Sequence, residues 1–293
     1  MKYAIILLFI SLIAVSGCTG FAAKKEVSSK NSNEFNATGN ITIHAISVSS
    51  NALFIDTSGT DVLYDAGDRK DSITVINYIS KYNLINLTLI PSHHHVDHMG
   101  GMIDILDKMN VINVLDSGSQ YNTKAFSDFI SRAKKENFVV VKRGDKITLD
   151  NGVSIEILSP GVTDAKGVNS SFYFSDENDN SIVMKLTYGE FSMLFTGDCE
   201  KACEEDMLEN SMNLDADILS VGHHGSRSST SDDFLDAVSP EAATIGVSAN
   251  NQYGHPHAET IEKLEKRKID IYRTDLNGNI VITTDGKGFD IVT

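Results

Sequence analysis

Seven residues, Ser92–His98 (SHHHVDH), hold four of the chain's nine histidines, and they follow a short, mainly apolar run, Leu87–Ile90, closed by Pro91. A run of that length and character reads as a buried strand. Several titratable side chains must therefore converge at a strand end, beside the core. Any fold that accepts them has to supply partners, because buried imidazoles and carboxylates left alone are costly. The other histidines cluster as well. His223-His224 follow the apolar run Ala216–Ser220, His255 and His257 share one loop, and only His44 stands by itself.

The sequence around these clusters predicts one α/β domain. Alternating or continuous apolar runs mark strands at Ile41–Ser49, Ala52–Asp56, Asp61–Tyr64, Phe138–Lys142, Lys146–Leu149, Val153–Leu158, Ala242–Ser248, Ile269–Arg273, Gly278–Thr284 and Phe289–Val292. Ser181–Tyr188 and Phe191–Thr196, joined at Gly189-Glu190, read as a β-hairpin. Apolar residues at helical spacing predict helices over Asp71–Tyr82, Gly101–Met109, Thr123–Asn137, Glu200–Asn210, Asp232–Val238 and Ala258–Lys266. Antiparallel strands thus mix with strand–helix units in both halves. No proline- or glycine-rich linker divides Ile41–Thr293, so a two-sheet core with helices outside satisfies the pattern.

The clusters have the chemistry of a metal site. Alternate residues beyond a strand can point the same way, so His93 and His95 can share one ion, while Asp97 and His98 open the next helical turn and can face a second. Gly100-Gly101 allows backbone to pack tightly behind them. Thr196-Gly197-Asp198 closes another apolar strand, where the Asp198 carboxylate can bridge two ions. Asp65 also follows a strand and reads as the residue that orients a ligand histidine from behind. Neutral imidazoles with carboxylates suit zinc, and also manganese or iron.

The ordered set Asp65-Ala66-Gly67, His93-X-His95-X-Asp97-His98-X-Gly100-Gly101, Thr196-Gly197-Asp198 and His223 or His224 resembles the metallo-β-lactamase superfamily. Asn178-Asp179-Asn180-Ser181, Thr196–Glu200, Gly222–Ser226 and Tyr253-Gly254-His255-Pro256-His257 narrow the resemblance to the hydrolase domain of the ComEC competence family. It extends over about Ile41–Thr293 and implies a single-domain αββα four-layer sandwich with a two-ion site at one edge of its sheets. It also implies a metal-dependent hydrolase working with activated water, most naturally on a phosphodiester. His93, His95, Asp97, His98, Asp198 and His224 become the expected metal ligands, and Asp97, His223 and His257 the candidate catalytic residues. Either of His223 and His224 could be the ligand, with His224 preferred and His223 facing substrate. Many superfamily members carry a further histidine between the first cluster and the bridging aspartate. This chain has none between His98 and His223, so the first ion is expected to have only His93, His95 and Asp198 plus water. An exported binding module with a degenerate site, or hydrolysis of another ester or amide, are the competing readings.

Other features set limits. Residues 1–17, with the apolar run Tyr3–Val15, fit a signal peptide, since a transmembrane helix needs about 20 apolar residues. Val15-Ser16-Gly17-Cys18 resembles a lipobox with Cys18 as the lipidated residue, and residues 18–40 read as a flexible tether before a domain at 41–293. The expected location is the outer face of the cell membrane, held by the lipid anchor alone. The formal charge of −15 argues against a broad nucleic-acid surface, which needs clustered cations, so DNA fragments rather than long DNA are the conceivable nucleic-acid partner. Neither a P-loop nor a Gly-X-Ser-X-Gly elbow occurs. Tyr253, His255 and His257 either line the substrate mouth or cap the helix that follows. His44 reads as a core or edge residue. Cys199 and Cys203, four apart on a predicted helix, read as buried small residues, because that helical geometry suits a disulfide poorly.

Overall fold

The structure, a computed structural model, describes residues 39–161 and 173–293. The expected signal peptide, Cys18 and the tether as far as residue 38 lie outside the described residues. Among the described residues no helix is long and apolar enough to cross a membrane.

In chain order the elements are β1 (Ile41–Ala45), β2 (Leu53–Asp56), β3 (Thr60–Tyr64), α1 (Ser72–Ile79), β4 (Asn86–Ile90), α2 (Val96–Lys108), β5 (Val111–Asp116), α3 (Lys124–Ala133), β6 (Asn137–Val140), β7 (Lys146–Thr148) and β8 (Ser154–Ser159). They continue with β9 (Val183–Tyr188), β10 (Phe191–Phe195), α4 (Lys201–Glu209), β11 (Ile218–Ser220), α5 (Asp232–Val238), β12 (Ala242–Ile245), α6 (Ala258–Lys266), β13 (Asp270–Arg273), α7 (Thr274–Asn277), β14 (Ile280–Thr284) and β15 (Phe289–Val292). One sheet runs β15-β14-β1-β2-β3-β4-β5-β6, the other β13-β12-β11-β10-β9-β8-β7.

Three apolar layers follow from this order. Alternate side chains such as Ile43, Ile55, Tyr64, Ile157, Met184 and Phe195 fill the space between the sheets. Phe54, Leu89, Val75, Met102 and Phe129 bind α1–α3 to the outer face of the first sheet. Leu194, Leu219, Met207, Phe234 and Leu264 bind α4–α6 to the outer face of the second. This is the αββα sandwich expected. The sheets are also tied by polar bonds near one edge: Tyr64 donates its hydroxyl to Ile182 O at 2.7 Å, and Ile182 N donates to Ser92 O at 2.7 Å. His44 is a core residue, with its ring nitrogens on Thr42 and Tyr78 and its pKa lowered by burial to about 4.

Two differences from the sequence reading bear on the site. Helix α2 begins at Val96, so it carries Asp97 and His98 and runs through both glycines. Glycine disfavours helix interiors, but packing requires it here: a Cβ on Gly101 would lie 2.1 Å from Ala66 O, and one on Gly100 2.7 Å from Arg69 N. The reading of Cys199 and Cys203 as unpaired is corrected, since they form a disulfide with Cα atoms 5.5 Å apart. Cys199 is not helical. It sits in the turn before α4, whose cap is Glu200, so the spacing objection within a helix does not apply.

Candidate metal centre

The strands β3, β4 and β5 run parallel, as do β10, β11, β12 and β13, and their carboxyl ends gather at one edge of the sandwich. Ligands of open α/β sheets bind at such strand ends. Asp65 follows β3, His93 follows β4, Asp198 follows β10, and His223 and His224 follow β11.

In the first sheet the rings of His93 and His98 are held from behind. The buried Asp65 carboxylate accepts from Ser92 N at 2.7 Å, Ser92 Oγ at 2.9 Å, Asn51 Nδ2 at 3.0 Å and His98 Nδ1 at 2.8 Å. Because the Ser92 hydroxyl gives its hydrogen to Asp65, its oxygen can accept from His93 Nδ1, 3.0 Å away. The Nε2 atoms of both histidines are thereby turned inward. His93 Nε2 lies 2.9 Å from His95 Nδ1 and 4.0 Å from Asp198 Oδ2, and His98 Nε2 lies 3.2 Å from Asp198 Oδ2 and 3.2 Å from His224 Nε2.

The second sheet supplies the rest. His224 donates Nδ1 to Gly246 O at 2.8 Å and presents Nε2, 3.8 Å from Asp97 Oδ2 and 3.6 Å from Asp198 Oδ1. His223 turns the other way: its Nδ1 is 2.7 Å from Glu200 Oε1, and its Nε2 is 3.7 Å from Asp198 Oδ2. Ser228 Oγ donates to the same Glu200 oxygen at 2.8 Å. His257 does not reach Asp198 directly. Its ring is 4.8 Å from that of His255, which stands 5.3 Å from that of His223, and its Nδ1 accepts from Arg227 N. The segment that takes the place of the absent histidine, Asn178–Ser181, brings a hydroxyl instead, with Ser181 Oγ accepting from Asp198 N at 3.1 Å and 3.5 Å from His93 Nδ1.

These residues fit divalent ions. His93, His98 and Asp198 form one group with ligand atoms within 4.8 Å of one another, and Asp97, His98 and His224 form another. Asp198 Oδ1 is buried with no hydrogen-bond partner, an expensive state for a carboxylate oxygen that an ion would relieve. Electrostatics agree. Burial alone would raise the Asp198 pKa, but His98 and His224 hold it well below the usual carboxylate range. Burial would lower that of His98, but Asp198, Asp65 and Asp97 outweigh it and raise it. His93 is pushed down by burial and by His98.

Sequence reasoning missed three residues. His94 points away from the centre, and its Nε2 and Nδ1 lie 2.9 Å from Asp116 and 2.9 Å from Glu177. Burial opposes its charge, yet the two carboxylates lift its pKa to about 9. Asp116 at the end of β5, beside β4, was the available signal. Glu200 was the other, a carboxylate two residues beyond Asp198. Ser92 carried no signal of its own.

The profile of the metallo-beta-lactamase superfamily matches residues 46–248. The chain belongs to that superfamily, and its fold and His/Asp groups make it a divalent-metal hydrolase of that class. Curated relatives include competence proteins. The chain is 32% identical over 195 residues to ComE operon protein 3 of Bacillus subtilis, covering 66% of this chain and 24% of that protein. It is 27% identical over 230 residues to competence protein ComA of Neisseria gonorrhoeae, covering 78% of this chain and 30% of that one. The chain thus spans under a third of these relatives' length. A metallo hydrolase of Ignicoccus hospitalis shares the fold, with a TM-score of 0.52 at 12% identity over 83% of this chain and 98% of the other.

Proposed function

We propose that this chain is an exported, lipid-anchored metal-dependent phosphodiesterase. The observation that carries the metal-dependent reading is the partnerless Asp198 Oδ1, buried where imidazoles from both sheets converge. His93, His95 and Asp198 would hold one ion and Asp97, His98 and His224 the other, with Asp198 shared; zinc suits this donor set best, with manganese or iron as substitutes. Such ions supply a water of lowered pKa and absorb charge at a phosphoryl group. Around them the protein orients the reactants. His223, with Nδ1 held by Glu200, aims Nε2 at the same centre and can hold or protonate the leaving oxygen. His257 acts only through the outer rim.

The phosphodiester reading rests on the motifs shared with competence proteins. Export and tethering rest on the apolar leader and Cys18. Cys18→Ser is expected to move the domain from membranes to the soluble exported fraction, and unchanged membrane partitioning would refute the anchor.

Elemental analysis combined with turnover of bis-nitrophenyl phosphate, a nitrophenyl monoester, single-stranded DNA and a β-lactam tests the activity. The diester is expected to be the preferred substrate. Asp198→Ala is expected to lose most metal and more activity than the ~10–100-fold typical of removing a partner behind a ligand. Full metal and full turnover in that variant would sink the two-ion hydrolase, and a native protein with neither metal nor turnover would be a binding module.

A further inference from the structure

Helix α4 starts without help from its own first side chain. An N-cap residue ordinarily accepts a hydrogen bond from an N–H of the first turn. Glu200, the N-cap of α4, makes no such bond. The buried carboxylate of Asp179 stands in for it from another part of the chain. Asp179 Oδ1 accepts from Glu200 N at 3.0 Å and from Cys203 N, in the first turn, at 3.2 Å. An anion at that place also suits the positive end of the helix.

The Glu200 carboxylate is thus free to turn elsewhere. Its Oε1 meets His223 Nδ1 at 2.7 Å, Ser228 Oγ at 2.8 Å and, more loosely, Asn178 Nδ2 at 3.4 Å. The Cys199–Cys203 disulfide brackets Glu200 in the chain. A cross-link gains in chain entropy with the length of the loop it closes, so over four residues its main effect is on local shape. Ser181, at the other end of the Asn178–Ser181 motif, accepts from Asp198 N at 3.1 Å. One tetrapeptide therefore holds the turn that carries both the candidate bridging carboxylate and the partner of His223.

We propose that Asp179 is a positioning residue for the proton donor: by capping α4 in place of Glu200 it leaves the Glu200 carboxylate to hold His223, and the Cys199–Cys203 bond keeps the turn in that shape. This deepens the phosphodiesterase reading and rests on it. In the reaction a water oxygen bonds to phosphorus, one ester P–O bond breaks with its electron pair on the departing oxygen, and His223 Nε2 passes a proton to that oxygen. The proton lost by the water restores His223 through solvent. Without Asp179 the Glu200 side chain becomes the cap that α4 lacks, and capping takes it from His223.

A nitrophenolate departs without a proton, whereas a phenolate gains from one, so the test compares bis-nitrophenyl phosphate with diphenyl phosphate on the metal-loaded protein. Asp179→Ala is expected to lower kcat on diphenyl phosphate about ten-fold more than on bis-nitrophenyl phosphate, with KM and metal content unchanged. Asp179→Asn, which keeps a capping oxygen, is expected to regain the native kcat on both. Cys199→Ser combined with Cys203→Ser should show the same leaving-group pattern with a smaller loss, and it decides the matter should Asp179→Ala not fold. In a Glu200→Ala background, Asp179→Ala should cost nothing more on diphenyl phosphate. Equal losses on the two diesters, an Asp179→Asn variant no better than Asp179→Ala, or losses that add to that of Glu200→Ala would each overturn the proposal alone. Absence of turnover of both diesters by the native protein would overturn the phosphodiesterase reading with it.

Discussion

The two sheets build one site by opposite means. The first presents His93 and His98 fully buried, each with its outward nitrogen taken by Ser92 or Asp65. The second presents His223 and His224 on left-handed backbone, with φ of 47° and 53°, and with side chains 23% and 11% exposed. Non-glycine residues adopt that conformation at a cost, usually where function demands it. The contrast divides the labour. The histidines of the first half are fixed by partners of their own, and those of the second are the ones that solvent reaches.

If the first half is rigid because its buried charges are mutually paired, breaking one pairing should be felt by the whole fold. His94→Ala leaves Asp116 and Glu177 buried without their cation and is expected to destabilise by about 3–5 kcal/mol, read from denaturant unfolding. A loss under about 1 kcal/mol would show that the first half is not held this way.

The same pairing should leave a smaller, graded mark on pH. The folded pKa of His94 is raised from 6.5 to about 9, so its contribution is complete below 6.5 and disappears as pH rises through 9. That is at most about 3 kcal/mol across the window, before allowing for coupling to the two carboxylates. In the His94→Ala variant the slope over this range should become shallower, and an unchanged slope would assign it to another group, such as His98, whose pKa is also raised.

The mouth should behave differently. Glu200→Ala removes the support of His223 together with the acceptor of the Ser228 hydroxyl, and is expected to change stability by under about 1 kcal/mol, with metal content intact. Turnover should fall about 10–100-fold, with His223→Ala giving no further loss on top of it. Additive losses in the double variant would mean that the two residues act separately.

Much of this was legible beforehand because the signal was compositional. Imidazoles and carboxylates cannot sit at the ends of apolar strands without a purpose, so His93, His95, Asp97, His98, Asp198 and Asp65 stood out by position. What escaped depended on direction. The middle histidine of three points to the opposite side of the chain from its neighbours, and nothing local says that Asp116 and Glu177 wait there. The start of α2 was set too late because glycine weighs against helix by propensity, while here contact with Ala66 decides. The cysteine pair escaped because a helix was drawn through a turn.

Asp198 and the inward nitrogens of His93 and His98 belong to different sheets, and His98 meets His224 across 126 residues of sequence. Neither half of the chain owns a binding site. The constellation comes into existence only when both sheets have closed on each other, since such distant pairings are among the last contacts a chain can afford. An ion held by both sheets would therefore bind the assembled fold and not the open chain, and its binding would add to the stability of that fold.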